Sequence, residues 1–280
     1  MSDGRLTFWK LEALGNDFVL LDLRREAVDL DDGMVRQLGD RRLGVGFDQL
    51  LVLTPGGNGA TGVEIRNADG TRAEQCGNGM RAIAAWLDQR GELADRMRLD
   101  SPAGEIRLAR DASGYTAEIP SARPADPAEL GLSIPELPPE ATGWQLITTG
   151  NPHLVVDWPV PPDAGDLQRV SERVQSVPSW ANRVNIGLLH RADDRHGLLR
   201  VWERGAGPTP ACGSGAVAAA YRMALVAPNG GGRRIDQPGG SLVVHFPEGS
   251  GSARLQGPAR VVFEGTIPWP SSPRPASPTG

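Results

Sequence analysis

The stretch EQCGNGMRAIAAWL, residues 74 to 87, places a cysteine directly before Gly-Asn-Gly and a run of helix-forming residues. The chain has two cysteines, and the second lies in PACGSGAVAAAYRM, where Cys212 again precedes Gly-x-Gly and small helix formers. The first turn of such a helix carries unpaired N–H groups and the positive end of the helix dipole. Each motif therefore predicts an anion-binding helix end with a cysteine at its edge, in a field that favours the thiolate.

The chain repeats itself at an offset of about 136 residues, which is the step from position 76 to position 212. Three further pairs of segments follow at this offset or one residue less. They are GNDFVLLD (15–22) with GNPHLVVD (150–157), FDQLLVL (47–53) with RVNIGLL (183–189), and VEIRNADG (63–70) with LRVWERGAG (199–207). Four matches in the same order predict two halves of one architecture.

The predicted fold is α/β (α+β), with two pseudo-symmetric halves and the active site in the cleft between them. Short strands alternate apolar and polar residues, and helices are predicted at 80–89 and 216–225 and, at matching places, at 31–41 and 166–175. The first half spans 1–120 with Cys76, and a last strand near 260–267 returns to it. The second half spans 121–267 with Cys212. Residues 120–139 are predicted to be a linker, 227–234 and 247–252 loops, and 268–280 a disordered tail.

Composition narrows the class of protein. The 280 residues are 39% hydrophobic and 22% charged, with a formal net charge of −5, which is typical of a soluble globular protein. No run of one charge sign favours nucleic acid or an anionic membrane as a partner. The sequence lacks the pattern of a signal peptide and a run of about 18 apolar residues. We therefore expect a cytoplasmic protein with reduced thiols.

Two cysteines facing each other across a pseudo-twofold axis suit a two-base racemase or epimerase. One cysteine, as thiolate, would remove the α-proton of an amino acid whose carboxylate is held by both helix ends. The other, as thiol, would return a proton on the opposite face. A lone cysteine is more often a small buried hydrophobe, but the repeated motif favours a joint role. No metal site is expected, because metal-ligand spacings are missing. No cofactor is expected either: Lys10 is the only lysine, and it has no phosphate loop for pyridoxal phosphate beside it.

Several motifs in combination resemble the diaminopimelate epimerase family. They are LGNDF (14–18), NADG (67–70), EQCGNG (74–79), GNPH (150–153), ERGAG (203–207) and ACGSG (211–215), and the resemblance covers nearly the whole chain up to Pro268. It implies a cytoplasmic, cofactor-independent isomerase that interconverts LL- and meso-diaminopimelate for lysine and peptidoglycan synthesis. It also implies two halves, each a barrel-like mixed or antiparallel sheet around a central helix, and a homodimer.

The resemblance also implies roles for residues that match the family's motifs. Cys76 and Cys212 would be the acid–base pair, with His153 and Glu203 assisting them. The substrate-binding set would be Asn16, Gln49, Asn67, Gly77, Asn78, Asn151, Asn185, Glu203, Arg204, Gly213 and Ser214.

These residue types suit a substrate with a second amino-acid end. Arg204 can hold a carboxylate through two hydrogen bonds, Glu203 can pair with an ammonium, and amides both donate and accept. Simpler alternatives stay open. Arg204 and Glu203 can form a surface ion pair, Asn16 and Asn151 can only shape turns, and His153 can be a buried strand histidine.

The sequence departs from the family pattern in three places: LEALGNDF, ACGSG instead of ACGTG, and MRA instead of an arginine–cysteine pair after CGNG. These changes leave the acid–base pair intact. Three rival functions remain. The first is a related racemase of another amino acid such as histidine or proline. The second is a thiol redox protein with a reversible disulfide, and the third is a catalytically silent amino-acid-binding protein.

Overall fold

The computed structural model describes residues 4–269, except residues 27, 58, 59, 74, 95, 96, 103, 229 and 250. The strands of this part of the chain form one 17-stranded sheet, accompanied by four α-helices. No helix within the described ranges is long and apolar enough to cross a membrane.

The strands are short, and most are joined by tight turns. The first seven are β1 (Arg5–Ala13), β2 (Asn16–Asp22), β3 (Gln49–Pro55), β4 (Thr61–Asn67), β5 (Met97–Ser101), β6 (Gly104–Asp111) and β7 (Gly114–Pro120). The next nine are β8 (Arg123–Pro124), β9 (Gly143–Thr148), β10 (Pro152–Asp157), β11 (Asn185–Arg191), β12 (His196–Glu203), β13 (Gly207–Thr209), β14 (Arg233–Gln237), β15 (Gly240–His245) and β16 (Ser252–Gly257). The last is β17 (Arg260–Pro268).

The pairing of the strands runs through two similar halves. The first half follows the order β17-β1-β2-β3-β4-β5-β6-β7. The second follows β8-β9-β10-β11-β12-β14-β15-β16, with β13 added on β12. Antiparallel pairing of β7 with β16 joins the two.

The two halves share their pattern of strand directions. The parallel pairs are β2 with β3 and β4 with β5 in the first half, and β10 with β11 and β12 with β14 in the second. The other pairs are antiparallel. The structure confirms the α/β fold with two pseudo-symmetric halves. The division of the chain into domains at residue 120 stays a prediction.

A helix lies inside each half of the sheet. The helix α2 (Gly77–Gln89) contacts β1, β2, β6 and β7, and α4 (Gly213–Val226) contacts β9 to β12 with β14 and β15. Both are rich in alanine and glycine, and α2 is buried from Gly77 to Leu87. Small side chains let the surrounding strands approach on all sides, so both helices belong to one continuous core with the strands. The predicted helices at 80–89 and 216–225 are confirmed, and each begins three residues earlier.

Two amphipathic helices cover the outer faces. The helix α1 (Asp32–Gly39) buries Val35 and Leu38 against the first half, and α3 (Ala164–Gln175) buries Leu167, Val170 and Val174 against the second. Asp31 caps α1, and Asp163 caps α3 in a capping box, as expected for acidic residues before a helix.

The predicted linker carries more structure than expected. Residues 120–139 contain β8 and a 3-10 helix at Ala128–Leu130. The indole N–H of Trp180 donates to the carbonyl of Ser133 (3.1 Å), and a guanidinium N–H of Arg183 donates to the carbonyl of Leu130 (2.6 Å). These contacts hold the segment on the second half, although its many prolines suggested a free connection.

Three other predicted irregular segments are shorter than expected. Arg233 and Arg234 belong to β14, and Ser252 begins β16. The predicted tail begins later, because Pro268 ends β17 and Trp269 is buried among apolar residues of the first half. Residues 270–280, the remainder of the predicted tail, lie outside the described residues.

Candidate active site

Both cysteines occupy the N-cap position of a central helix. Cys76 has φ −148° and ψ 94°, and its sulfur accepts a hydrogen bond from the backbone N–H of Gly79 (N–Sγ 3.2 Å). Cys212 has φ −122° and ψ 115°, and its sulfur accepts from Gly215 (3.4 Å). Sulfur thus takes the place of the oxygen that usually caps a helix. Each sulfur lies where the helix dipole and an N–H donor favour negative charge.

The second glycine of each Cys-Gly-x-Gly motif leaves room for the sulfur. A Cβ atom on Gly79 would lie 3.2 Å from Sγ of Cys76 and 3.0 Å from a methyl group of Leu51. A Cβ atom on Gly215 would lie 3.3 Å from Sγ of Cys212 and 3.0 Å from Val201. A larger residue would therefore push the sulfur away from the N–H group that it accepts from.

The two helix N-termini meet. A Cβ atom on Gly213 would lie 3.0 Å from Oδ1 of Asn78 and 3.5 Å from its backbone nitrogen. The amide of Asn78 donates to the carbonyl of Ala211 (3.4 Å), just before Cys212. The unpaired N–H groups of α2 and α4 therefore converge on one place, which suits a single shared anion.

Glu203 faces both cysteines. Its carboxylate accepts a hydrogen bond from the Thr209 hydroxyl (2.6 Å) and interacts with the Cys212 thiol. Burial raises the pKa of Glu203. Burial also raises the pKa of Cys76 to about 12, against the Gly79 N–H that lowers it, and the Glu203 charge raises it further. The pKa of Cys212 is raised well above its usual value by burial and by Glu203. Removing a proton from either thiol therefore requires compensating positive charge or hydrogen bonds.

A chain of polar contacts connects Cys212 to His153. The Oγ of Ser214 lies 3.5 Å from Sγ of Cys212 and 3.0 Å from Nε2 of His153, and Nδ2 of Asn185 lies 3.3 Å from that same ring nitrogen. Complete burial lowers the pKa of His153 to about 3, so the ring is neutral. Oδ1 of Asn185 is taken by the Arg204 N–H, so Nδ2 of Asn185 donates to Nε2, and Ser214 bridges that ring nitrogen and the Cys212 sulfur. His153 thus reaches the sulfur through Ser214.

The polar side chains of the second half continue outward from His153. Oδ1 of Asn151 accepts from the Thr149 hydroxyl (3.0 Å) and lies 3.2 Å from His153 Nε2. Oδ1 of Asn185 accepts from the backbone N–H of Arg204 (2.9 Å). The Arg204 side chain is exposed and, in the described part of the chain, forms no ion pair with Glu203. The surface ion pair is therefore not present, and the guanidinium is available to a ligand.

The polar side chains of the first half form two smaller groups. Asn16 donates to Asp48 (2.7 Å), and its oxygen accepts from the Asn78 amide (3.4 Å). Gln49 donates to Asn67 (3.1 Å) across the β3–β4 pair, where the two residues are directly opposite. Asn16 therefore contacts the N-terminus of α2. A residue that only shaped a turn would not make this contact.

The structure adds two residues that the sequence analysis did not select. The side-chain oxygen of Gln237 accepts from the backbone N–H of Cys212 (2.9 Å), and Gln237 is buried. Asp48 orients Asn16 and binds Arg41 (2.6 Å). Asp48 precedes Gln49 in a repeated segment, so its position was a usable signal. Gln237 carries no such signal, because the contact joins β14 to a helix end 25 residues earlier.

The predicted site residues thus fall into three contact groups in the described part of the chain. Cys76, Gly77, Asn78 and Asn16 meet Gly213 at the helix ends. Cys212, Ser214, His153, Asn151, Asn185, Arg204 and Glu203 are connected through the contacts above. Gln49 and Asn67 form the third group on β3 and β4. Residue 74 of the EQCGNG motif lies outside the described residues, and the roles of all these residues stay predictions.

This fold, with a central helix in each half, is shared by solved structures of known proteins. A Bacillus anthracis phenazine biosynthesis protein of the PhzF family matches with a TM-score of 0.67 and 17% identity, over 94% of this chain and 99% of that one. A hydroxyproline epimerase from Agrobacterium vitis, solved with trans-4-hydroxy-L-proline, matches with a TM-score of 0.66 and 13% identity, over 94% of this chain and 92% of that one. The fold thus places the chain in the structural class that contains these proteins.

Sequence comparison is more specific. The family model for diaminopimelate epimerase matches residues 8–119 and 145–262. The diaminopimelate epimerase of Xylella fastidiosa (strain M12) is 38% identical over 272 residues, which is 93% of this chain and 95% of that protein. The diaminopimelate epimerase of Xanthomonas euvesicatoria pv. vesicatoria is 37% identical over 274 residues, which is 94% of this chain and 96% of that protein. The chain belongs to the diaminopimelate epimerase family.

Proposed function

We propose that this protein is an isomerase that interconverts LL- and meso-diaminopimelate through Cys76 and Cys212, without a cofactor. The observation that carries the proposal is the meeting of two cysteine-capped helix N-termini, where Gly213 approaches Asn78 and Glu203 faces both sulfurs. Family membership supports diaminopimelate as the substrate.

The converging helix ends bind the carboxylate next to the reacting carbon. Backbone N–H groups at Gly77, Asn78, Gly213 and Ser214 lie in the first turns of the two helices, where they have no partner within the helix. The carboxylate accepts hydrogen bonds from the N–H groups of both helices and is stabilised by both helix dipoles. These donors also stabilise the negative charge that moves into the carboxylate when the α-proton leaves.

The proton transfers balance over one turnover. In one direction the Cys76 thiolate takes the α-proton and becomes a thiol, and the electron pair of the C–H bond is delocalised into the carboxylate. The Cys212 thiol then gives its proton to the other face of the carbon and becomes the thiolate. The reverse direction exchanges the two roles. Glu203 and the chain from Ser214 to His153 assist Cys212 by fixing where its proton lies.

The distal amino-acid end of the substrate needs both charge and hydrogen-bonding groups. Arg204 supplies the cation for the distal carboxylate, and the amides of Asn67, Asn151 and Asn185 supply donors and acceptors for the rest. Asn16 and Gln49 complete this group. An amino acid with an apolar side chain would leave these polar groups unpaired, which favours a substrate with two charged ends.

The first experiment is proton NMR of LL-diaminopimelate in D2O with the reduced protein, Cys76→Ala and Cys212→Ala. We expect the α-proton signal at the reacting centre to disappear with the wild type as the meso isomer forms, and neither change with either variant. Lack of exchange with the reduced wild type would reject diaminopimelate as substrate. A panel of other amino acids under the same conditions would then identify the substrate.

Location and assembly are part of the proposal. Thiols that must stay reduced favour the cytoplasm, and no role for nucleic acid or a membrane is proposed. A homodimer is proposed because β17 lies at the end of the strand order and exposes Val262 and Phe263. Light scattering coupled to size exclusion should give twice the mass of one chain. A mass of one chain at all tested concentrations would reject the dimer.

A further inference from the structure

Arg81 is a buried cation that the proposed reaction has not yet used. It lies on α2, five residues after Cys76, and its side chain has no solvent exposure. One guanidinium nitrogen, Nη2, donates to Oδ1 of Asn78 (3.0 Å). The other two nitrogens, Nε and Nη1, find no hydrogen-bond partner among the described residues. A buried, incompletely paired guanidinium is costly, so its retention calls for a compensating negative charge.

The position of Arg81 identifies that charge. Asn78 lies at the N-terminus of α2, between Arg81 and the end of the helix that carries Cys76. Burial lowers the pKa of Arg81 to about 10, which leaves it cationic at neutral pH, and the Cys76 thiolate opposes that lowering. The charge of Arg81 in turn lowers the pKa of Cys76, after the larger effects of burial, Gly79 and Glu203. Arg81 and the Cys76 thiolate therefore stabilise each other.

The position of the second half that matches Arg81 carries no cation. The repeat offset of 136 places Val217 of α4 where Arg81 stands in α2. At Cys212 burial and the Glu203 charge raise the pKa of the thiol, and the Ser214 hydroxyl and the Gly215 N–H oppose them. The other groups near Cys212 are Ser214, neutral His153 and the backbone of Gly215. Glu203 raises the pKa of both thiols, so the cation Arg81 is the charge that differs between them.

We propose that Arg81 is a positioning residue that makes Cys76, rather than Cys212, the first of the two thiols to ionise. This inference rests on the proposed two-cysteine reaction and adds to it an order of ionisation, with Cys76 as the base and Cys212 as the acid when a turnover begins. After one turnover the proton is on Cys76 and the thiolate is on Cys212. The starting arrangement returns when Cys76 loses its proton to solvent and Cys212 gains one.

The two cysteines of this chain allow each thiol to be measured alone. Cys212→Ala leaves only Cys76, and Cys76→Ala leaves only Cys212. In each background the rate of alkylation by iodoacetamide is followed from pH 6 to 9 by intact-protein mass, without substrate. The rate at a given pH reports the fraction of thiolate.

Arg81→Met removes the charge and keeps much of the side-chain length. We expect it to lower the alkylation rate of Cys76 at least tenfold at each pH, which is one unit in the pKa of the thiol. Arg81→Lys, which keeps the charge, should stay within threefold of the parent. The rate at Cys212 should change less than threefold with either substitution. An unchanged rate at Cys76, or an equal loss at both cysteines, would overturn the proposal.

A matched control separates charge from packing. Arg233 is another buried arginine, on β14, where it donates to the carbonyl of Ala227 (2.8 Å). Arg233→Met should leave the alkylation rate of Cys76 unchanged. If Arg81→Met does not fold, the pH profiles of alkylation of the two single-cysteine proteins still test the order of ionisation. The proposal requires that Cys76 titrates at a lower pH than Cys212. The reverse order would contradict the proposal. Because no substrate is present, these outcomes are independent of whether diaminopimelate is epimerised.

Discussion

The N-terminus of α2 and the N-terminus of α4 have the same backbone arrangement and different surroundings. In both, a cysteine sulfur caps the helix and a glycine two residues into it leaves room for that sulfur. Around Cys76 lie Asn78 and Arg81, whereas Ser214, His153 and Gln237 lie around Cys212. A carboxylate shared by two helix ends requires similar backbones. A proton that must begin on one sulfur and end on the other requires different side chains, and the repeat has diverged at those positions.

The largest effect that tests this comparison is expected at the one carboxylate that both cysteines share. Glu203→Gln removes a charge that raises the pKa of both thiols and an acceptor for the Cys212 proton. We expect kcat to fall about 100-fold in both directions, the lower range for loss of one acid–base group. Rates from LL- and from meso-diaminopimelate should be measured with Glu118→Gln as control, since Glu118 pairs with Arg254 on the sheet. Because both cysteines share Glu203, a fall in kcat in one direction only would contradict this prediction.

The second prediction concerns Cys212 alone. Gln237→Leu removes the acceptor for the Cys212 backbone N–H and leaves that buried donor unpaired. We expect a loss of about 1–3 kcal/mol in the free energy of unfolding, together with a lower kcat. Urea unfolding measures the first, and Gln256→Leu, at a partly exposed position of β16, serves as control. If the control is as destabilising, the contact at Cys212 has no special importance.

The third prediction follows from neutral His153. Its pKa is lowered by burial to about 3 in the folded protein, against 6.5 in the unfolded chain. Between these values the unfolded chain binds more protons, so this group reduces the unfolding free energy as pH falls from 6.5 toward 3. The slope approaches about 1.4 kcal/mol per pH unit. The difference in unfolding free energy between the wild type and His153→Gln should therefore shrink as pH falls over this range.

The reverse trend for His153, with the wild type gaining stability over the variant in acid, would show that the imidazole is charged in the folded state. All four histidines of the chain lie after residue 120, so the second half alone should contribute a histidine effect.

The smallest effect is expected at the edge of the first half. Asp48→Asn keeps the shape of the side chain that orients Asn16 but removes its charge. We expect KM to rise about threefold and kcat to stay within twofold, which corresponds to a weakened hydrogen bond of less than 1 kcal/mol. Steady-state kinetics with both isomers tests this. A larger loss in kcat than in KM would mean that Asp48 acts on the cysteines.

The sequence predicted the two central helices because each follows a Cys-Gly-x-Gly motif at the same repeat offset. It also predicted both outer helices, since residues 31–41 and 166–175 stand at matching places of the repeat. It did not show that residues 120–139 pack on the second half, because proline marks turns without showing what a turn contacts. The contacts of Gln237 with Cys212 and of Arg81 with Asn78 depend on how strands and helices are packed. A single sequence carries no signal for the contact of Gln237 with Cys212. For the contact of Arg81 with Asn78 it offers only the residue types.

The last strand of the chain belongs to the sheet of the first half, where β17 pairs with β1 along its whole length. During synthesis, the first 120 residues therefore leave the ribosome with both edges of their sheet uncovered. The strand β7 still lacks β16, and β1 lacks β17, a partner about 250 residues away. Closing such a distant pair is slow compared with local contacts. The second half has all its strands by residue 257 and can complete its sheet first. The order in which the halves are translated is thus opposite to the order in which they can be finished.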